Sequence, residues 1–154
     1  MKSSVDFCVR GQYKKIKKEE RNMGKSSIGT VDEAKALVDK AVALIQESGQ
    51  EKAFAAFNDT AGDFVNKDLY IFVVDMNGTI VAHGATADLI GKDMMGFQDE
   101  VGKHPIKDMT EMAKTQSDGW VDYKWPHPLT KSIGDKSTYF HKVGDLLVCC
   151  GVYK

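Results

Sequence analysis

Residues 69–83 read LYIFVVD-MNG-TIVAH, two apolar runs separated by Asn77-Gly78. Asn-Gly between apolar runs is the strongest short signal for a β-hairpin, because both residues accept the positive φ angles that a tight hairpin turn demands. A sheet therefore begins at Leu69, and what precedes it has a different period. Thr30-Val31-Asp32-Glu33 forms a capping box, and Val31, Ala34, Leu37, Val38, Ala41, Leu44 and Ile45 follow at helical spacing up to Ser48-Gly49. A second, shorter helix is expected from Glu51 to Phe57, ended by the turn residues of 58–62.

After Gly84 the chain becomes irregular and rich in Gly and Met, carrying Leu89, Ile90, Met94, Met95 and Phe97. A helix is expected from Pro105 to about Gln116, with proline in the first turn, where its missing N–H costs nothing. Three strands finish the chain, at 120–125, 137–143 and 146–152, the last two joined at Gly144-Asp145. The order predicts an α+β fold: one antiparallel sheet of about five strands with helices packed on it. There are no internal repeats.

Charge narrows the partners. The 154 residues carry 21 Lys/Arg and 22 Asp/Glu, but residues 1–27 hold eight basic against three acidic groups, leaving 13 against 19 for the remainder. The folded part is mildly acidic, which argues against nucleic acid as a partner. Residues 1–27 lack a continuous apolar run, so they read as neither signal peptide nor membrane span. They are set aside as a basic, solvated tail, and the domain is placed at 28–154. Cys8, Cys149 and Cys150 show no metal-ligand spacing, and adjacent cysteines on a strand point to opposite faces. His104, His127 and His141 have no ligand spacing with each other or with His83 and read as surface residues, so neither metal nor cofactor is expected. No phosphate-binding loop and no nucleophile beside a base can be assembled, so no enzymatic activity is expected.

The last third concentrates polar-tipped aromatics beside a few cations: Trp120, Tyr123, Lys124, Trp125, His127, Lys136, Tyr139 and Tyr153. Rings give rigid walls and a cation offsets the desolvation of a carboxylate, the composition of a pocket for a small anionic molecule.

The segments YIFVVDMNGTIVAHG, LIGKDMMGFQD, GWVDYKWP, DKSTY and GVYK, in this order and at these spacings, resemble a single Cache domain of the extracytoplasmic sensor type, type 2-like. The resemblance covers about Thr30 to Lys154. It implies a PAS-like sheet behind a long first helix, a periplasmic or other extracytoplasmic location, and a ligand among pyruvate, lactate, acetate and propionate, for chemotaxis or signal transduction. It also implies a membrane receptor or kinase partner; without a visible leader or membrane span, the chain looks closest to free-standing secreted versions. The first helix offers a face for a homodimer; the alternatives are a non-sensing interaction or dimerisation module and, less favoured, a small enzyme. Carried over by position, the ligand-binding residues are Tyr70, Phe72, His83, Tyr123, Trp125, Lys136 and Tyr139. Parity sets one condition on that set. Lys136 and Tyr139 are three apart and face opposite sides of a regular strand, so Lys136 is expected to precede the strand proper, after Gly134-Asp135.

Overall fold

The computed structural model describes residues 28–154; the basic segment 1–27, with Cys8, lies outside the described residues. Helix α1 spans Val31–Ser48, and the expected capping box is present: the Thr30 side chain accepts from the Glu33 N–H, and Glu33 accepts from the Thr30 N–H. Its apolar stripe, Ala34, Leu37, Val38, Ala41 and Ile45, is buried. The stripe packs within the chain's own core. Helix α2, Gln50–Asn58, adds Ala53 and Phe57 to the same layer.

Among the described residues the sheet has six antiparallel strands, against about five expected: β1 Val65–Asn66, β2 Leu69–Asp75, β3 Ile80–His83, β4 Asp118–Pro126, β5 Ile133–Val143 and β6 Leu146–Tyr153. The extra one, β1, is two residues long. Its turn into β2 places Lys67 at φ 58, a left-handed conformation that a residue with a Cβ adopts only at a cost. β2 pairs with β1 and β3 along one side and with β6 on the other, and the order continues β6-β5-β4. The hairpin forms where the sequence predicts it, but only Gly78 takes a positive φ (86), Asn77 staying at negative φ, and the Asp75 carboxylate accepts from the N–H groups of Asn77 and Thr79.

Both faces of the sheet are covered, which is why β2 and β6 are apolar at nearly every position. Ile71, Val73, Tyr139, Val148 and Cys150 face α1 and α2; Tyr70, Phe72, Val74, Phe140, Leu147 and Cys149 face the other way. The two adjacent cysteines thus lie in different layers, both buried and both free. The second layer is completed by the connection 84–104 and helix α3, Pro105–Met112. That connection is tied to the hairpin by Ile80 N–H to Lys92 O (3.0 Å), Gly91 N–H to Ile80 O (2.7 Å) and Met94 N–H to Gly78 O (2.8 Å). The Asp99 carboxylate pins its far end, accepting from the N–H groups of Val101, Lys103 and, on edge strand β4, Lys124.

Candidate functional site

Between the sheet and this second layer lies a cavity lined on the sheet side by Tyr70, Phe72, Ile80, His83, Tyr123, Trp125 and Lys136. Leu89, Met94, Phe97, Pro105 and Ile106 close it from above. Six of the seven residues selected from the sequence therefore meet in one place. Tyr139 does not. Lys136 lies inside β5 rather than before it, paired with Tyr123 on one side and Tyr153 on the other, so parity sends Tyr139 to the opposite face. There its ring packs on Trp120 at 5.2 Å and its hydroxyl donates to Asp118.

Lys136 is the centre of the site. It is 1% exposed, and its Nζ donates to the Tyr70 hydroxyl at 2.8 Å. Five rings surround that ammonium: Tyr70 at 4.5 Å, Tyr153 at 5.3 Å, Phe72 at 5.5 Å, Trp125 at 5.8 Å and Tyr123 at 5.9 Å. Ring faces attract a cation, yet they replace its hydration poorly, so burial pulls the Lys136 pKa from the ordinary 10.5 down to about 7. The lysine lies flat because Gly151 sits opposite: a Cβ there would come within 2.2 Å of Lys136 Cε and 2.6 Å of Thr138 Oγ1.

His83 stacks on Phe72 (25° between planes) and tilts over Tyr70, with ring centroids at 5.7 and 5.0 Å. Its Nδ1 accepts from the N–H groups of Ala85 and Thr86, which fixes the neutral tautomer with the proton on Nε2. Burial, reinforced by the charge of Lys136, lowers its pKa to about 3. The imidazole is thus a neutral donor and loop organiser rather than a second cation. The Tyr123 hydroxyl shares a 2.8 Å hydrogen bond with Thr138, while Phe97 meets Trp125 edge-on at 5.3 Å to form the rim.

The sequence reading omitted three contributors. Tyr153 was noted among the aromatics but not placed in the site; its pairing opposite Lys136 is a matter of register. Gly151 has no signal beyond its position in GVYK. Asp68 and His127 are the third: His127, read as surface, is half-buried, with Nε2 3.1 Å from the buried Asp68 carboxylate and its ring 4.6 Å from that of Tyr153.

The space left beside the ammonium is about 20 Å3, room for one water-sized group, and no cluster of metal-ligating side chains exists among the described residues. An antiparallel sheet covered on both faces, with an aromatic cavity around a buried lysine on one of them, is a PAS-like α+β architecture. The chain belongs to the single Cache domain 2 family, whose model matches residues 3–153. It is 25% identical over 118 residues to the methyl-accepting chemotaxis protein McpP of Pseudomonas putida, a match covering 75% of this chain but about a fifth of that receptor's length (21%). Among solved structures, a methyl-accepting chemotaxis protein from Vibrio parahaemolyticus superposes with a TM-score of 0.67 at 20% identity, covering 95% of each chain. A Cache chemosensory domain described for carboxylic acid recognition gives 0.64 at 21% identity over 88% of this chain and 92% of its own. The periplasmic sensor domain of a chemotaxis protein gives 0.64 at 24%, over 80% and 89%.

Proposed function

We propose that this domain is an extracytoplasmic sensor that binds a small monocarboxylate, of the pyruvate, lactate, acetate or propionate class, and reports it to a membrane receptor or kinase. One observation carries the reading: a buried lysine inside an aromatic cage, with no ion pair to a carboxylate among the described residues. A cation desolvated in this way gains most from an anionic ligand that enters the cage with it, each charge-assisted bond contributing about 1.5–3 kcal/mol. Lys136 then supplies the charge, Tyr70 and the Nε2–H of His83 supply neutral donors, and Phe72, Trp125 and Ile106 supply the apolar wall. A single cation suits one carboxylate rather than two, and the small volume favours the smallest acids. Entry of even a two-carbon acid requires Lys136 to leave Tyr70 and the Phe97–Trp125 rim to part.

Binding without turnover is the second half of the proposal. His83, held neutral down to about 3 with its Nδ1 engaged by backbone, is a poor general base, and both cysteines of the described residues are buried and far above their ordinary pKa. A thermal-shift screen tests the reading, because a ligand of the folded state raises stability by RT ln(1 + [L]/Kd). Two- to four-carbon monocarboxylates raise Tm, and amino acids, sugars and nucleotides leave it unchanged. A flat response to every monocarboxylate at millimolar concentration, or selective stabilisation by an amino acid, overturns the assignment.

A further inference from the structure

The buried carboxylate of Asp68 lies outside the cavity, yet it joins three separate parts of the fold. Its Oδ1 accepts the Gly29 N–H at 2.7 Å, one residue before the N-cap of α1. Its Oδ2 meets His127 Nε2 at 3.1 Å, at the tip of the β4–β5 hairpin. The tip is itself organised by that histidine, whose Nδ1 accepts from the N–H groups of Leu129 and Thr130. Asp68 also follows Lys67, the residue held at positive φ, whose ammonium pairs with Glu33 of the α1 capping box at 3.1 Å. Backbone strain persists only where surrounding contacts over-determine it, and here two of those contacts, Asp68 to Gly29 and Lys67 to Glu33, converge on the start of α1.

The path back to the cavity is short. Tyr153 packs on His127 on one side, lies 5.3 Å from Lys136 Nζ on the other, and donates its hydroxyl to the Pro126 carbonyl at 3.0 Å, the residue before His127. Moving the Lys136 ammonium from Tyr70 toward an incoming carboxylate changes what the Tyr153 ring packs against. Tyr153 is fixed to the hairpin tip by ring and hydroxyl alike, so the tip and Asp68 feel the change.

We infer that Asp68, with His127 and Tyr153, is a positioning network that couples the state of Lys136 in the cavity to the segment entering helix α1. The inference rests on the proposed role of Lys136 in ligand binding and assigns that site its route of output. Coupling is reciprocal, so if occupancy of the cavity shifts the α1 entrance, a change at Asp68 that shifts the entrance alters affinity at the cavity. Coupling energies between sites commonly correspond to about 5- to 150-fold in affinity, and the lower end is expected here for a path of three side chains.

The test is NMR of the whole chain, observing the Gly29 amide, the His127 ring and the Trp125 indole. Adding pyruvate shifts Trp125 as the local reporter, and it shifts Gly29 and His127 with the same midpoint. In Tyr153→Phe, which keeps the ring but loses the bond to Pro126, the Trp125 shift persists while those at Gly29 and His127 shrink at least severalfold. Asp68→Asn, which retains an acceptor for Gly29 but loses its charge, weakens pyruvate about 5-fold, less than the loss expected in Lys136→Met. Lys136→Met itself shifts Gly29 and His127 without any ligand, so the inference stays testable should no acid bind. Trp125 responding while Gly29 and His127 stay still refutes the coupling and leaves the binding site intact. Unchanged Gly29 and His127 resonances in Lys136→Met refute it irrespective of ligand.

Discussion

Replacing Lys136 by methionine separates two effects of the same ammonium, because it stabilises the empty domain and disables the site. Burial lowers the lysine's pKa from 10.5 in an ordinary environment to about 7 in the fold. At roughly 1.4 kcal/mol for each tenfold change in the dissociation constant, that displacement amounts to about 5 kcal/mol between protonated and neutral forms. The sign follows from proton counting. Between pH 7 and 10.5 the unfolded chain binds this proton and the folded chain does not, so stability rises with pH across that window and the full penalty is present below 7. Methionine keeps the aliphatic stem and carries no proton. Against the penalty stands the lost hydrogen bond to the buried Tyr70 hydroxyl, about 1–3 kcal/mol. Lys136→Met is therefore expected to unfold about 2–4 kcal/mol less readily than the parent at pH 6, with the difference vanishing or reversing near pH 10. Its affinity for pyruvate falls by about 1.5–3 kcal/mol, roughly 10- to 150-fold. Denaturant unfolding at pH 6, 8 and 10, with calorimetric titration at pH 6, reads both. A variant less stable than the parent at pH 6, or one that binds pyruvate with unchanged affinity, refutes the account of Lys136 as a desolvated cation awaiting an anion.

Three further outcomes follow from the same geometry. Gly151→Ala pushes a methyl group into the Lys136 stem and Thr138, so it costs about 1–3 kcal/mol of stability by overpacking and weakens pyruvate without touching a charge; unchanged affinity by calorimetry counts against the flat lysine conformation. Affinity in the parent holds below pH 7 and declines as pH rises above it, while His83→Gln keeps that profile because the imidazole is already neutral there; a profile that flattens in His83→Gln assigns the titration to the histidine instead. Trp125→Ala opens the rim beside Phe97 and lowers both Tm and affinity, and a loss of affinity alone contradicts its role in packing.

How much of this was legible beforehand depended on whether the signal was local. The α1 capping box, the hairpin at Asn77-Gly78 and the apolar run of β2 are encoded within a few residues, and all appear in the structure. The six cavity residues were carried over by position from the family resemblance, and they meet because they lie on one face of four strands of the sheet, β2 to β5. Tyr139 was misplaced when the parity conflict with Lys136 was resolved in favour of a late strand start. β5 instead begins at Ile133, and the regular alternation through Lys136, Thr138 and Phe140 turns Tyr139 toward α1. Tyr153 and Gly151 gained meaning only from register, which brings Tyr153 beside Lys136. Asp68 and His127 are 59 positions apart, and nothing in either neighbourhood announces the other. The charge state of His83 was likewise invisible: two backbone N–H groups and complete burial, not its residue type, keep it neutral.

The most direct measurement is the titration of Lys136 itself, followed through its side-chain nitrogen by NMR with and without saturating pyruvate. A free-state pKa near 7 that climbs by at least one unit in the complex is the expected result, since a bound carboxylate favours the ammonium that the empty cage disfavours. A Lys136 that titrates near 10.5 in the free domain, or one whose pKa does not move on saturation, contradicts the claim that it is the buried cation to which the ligand's charge responds.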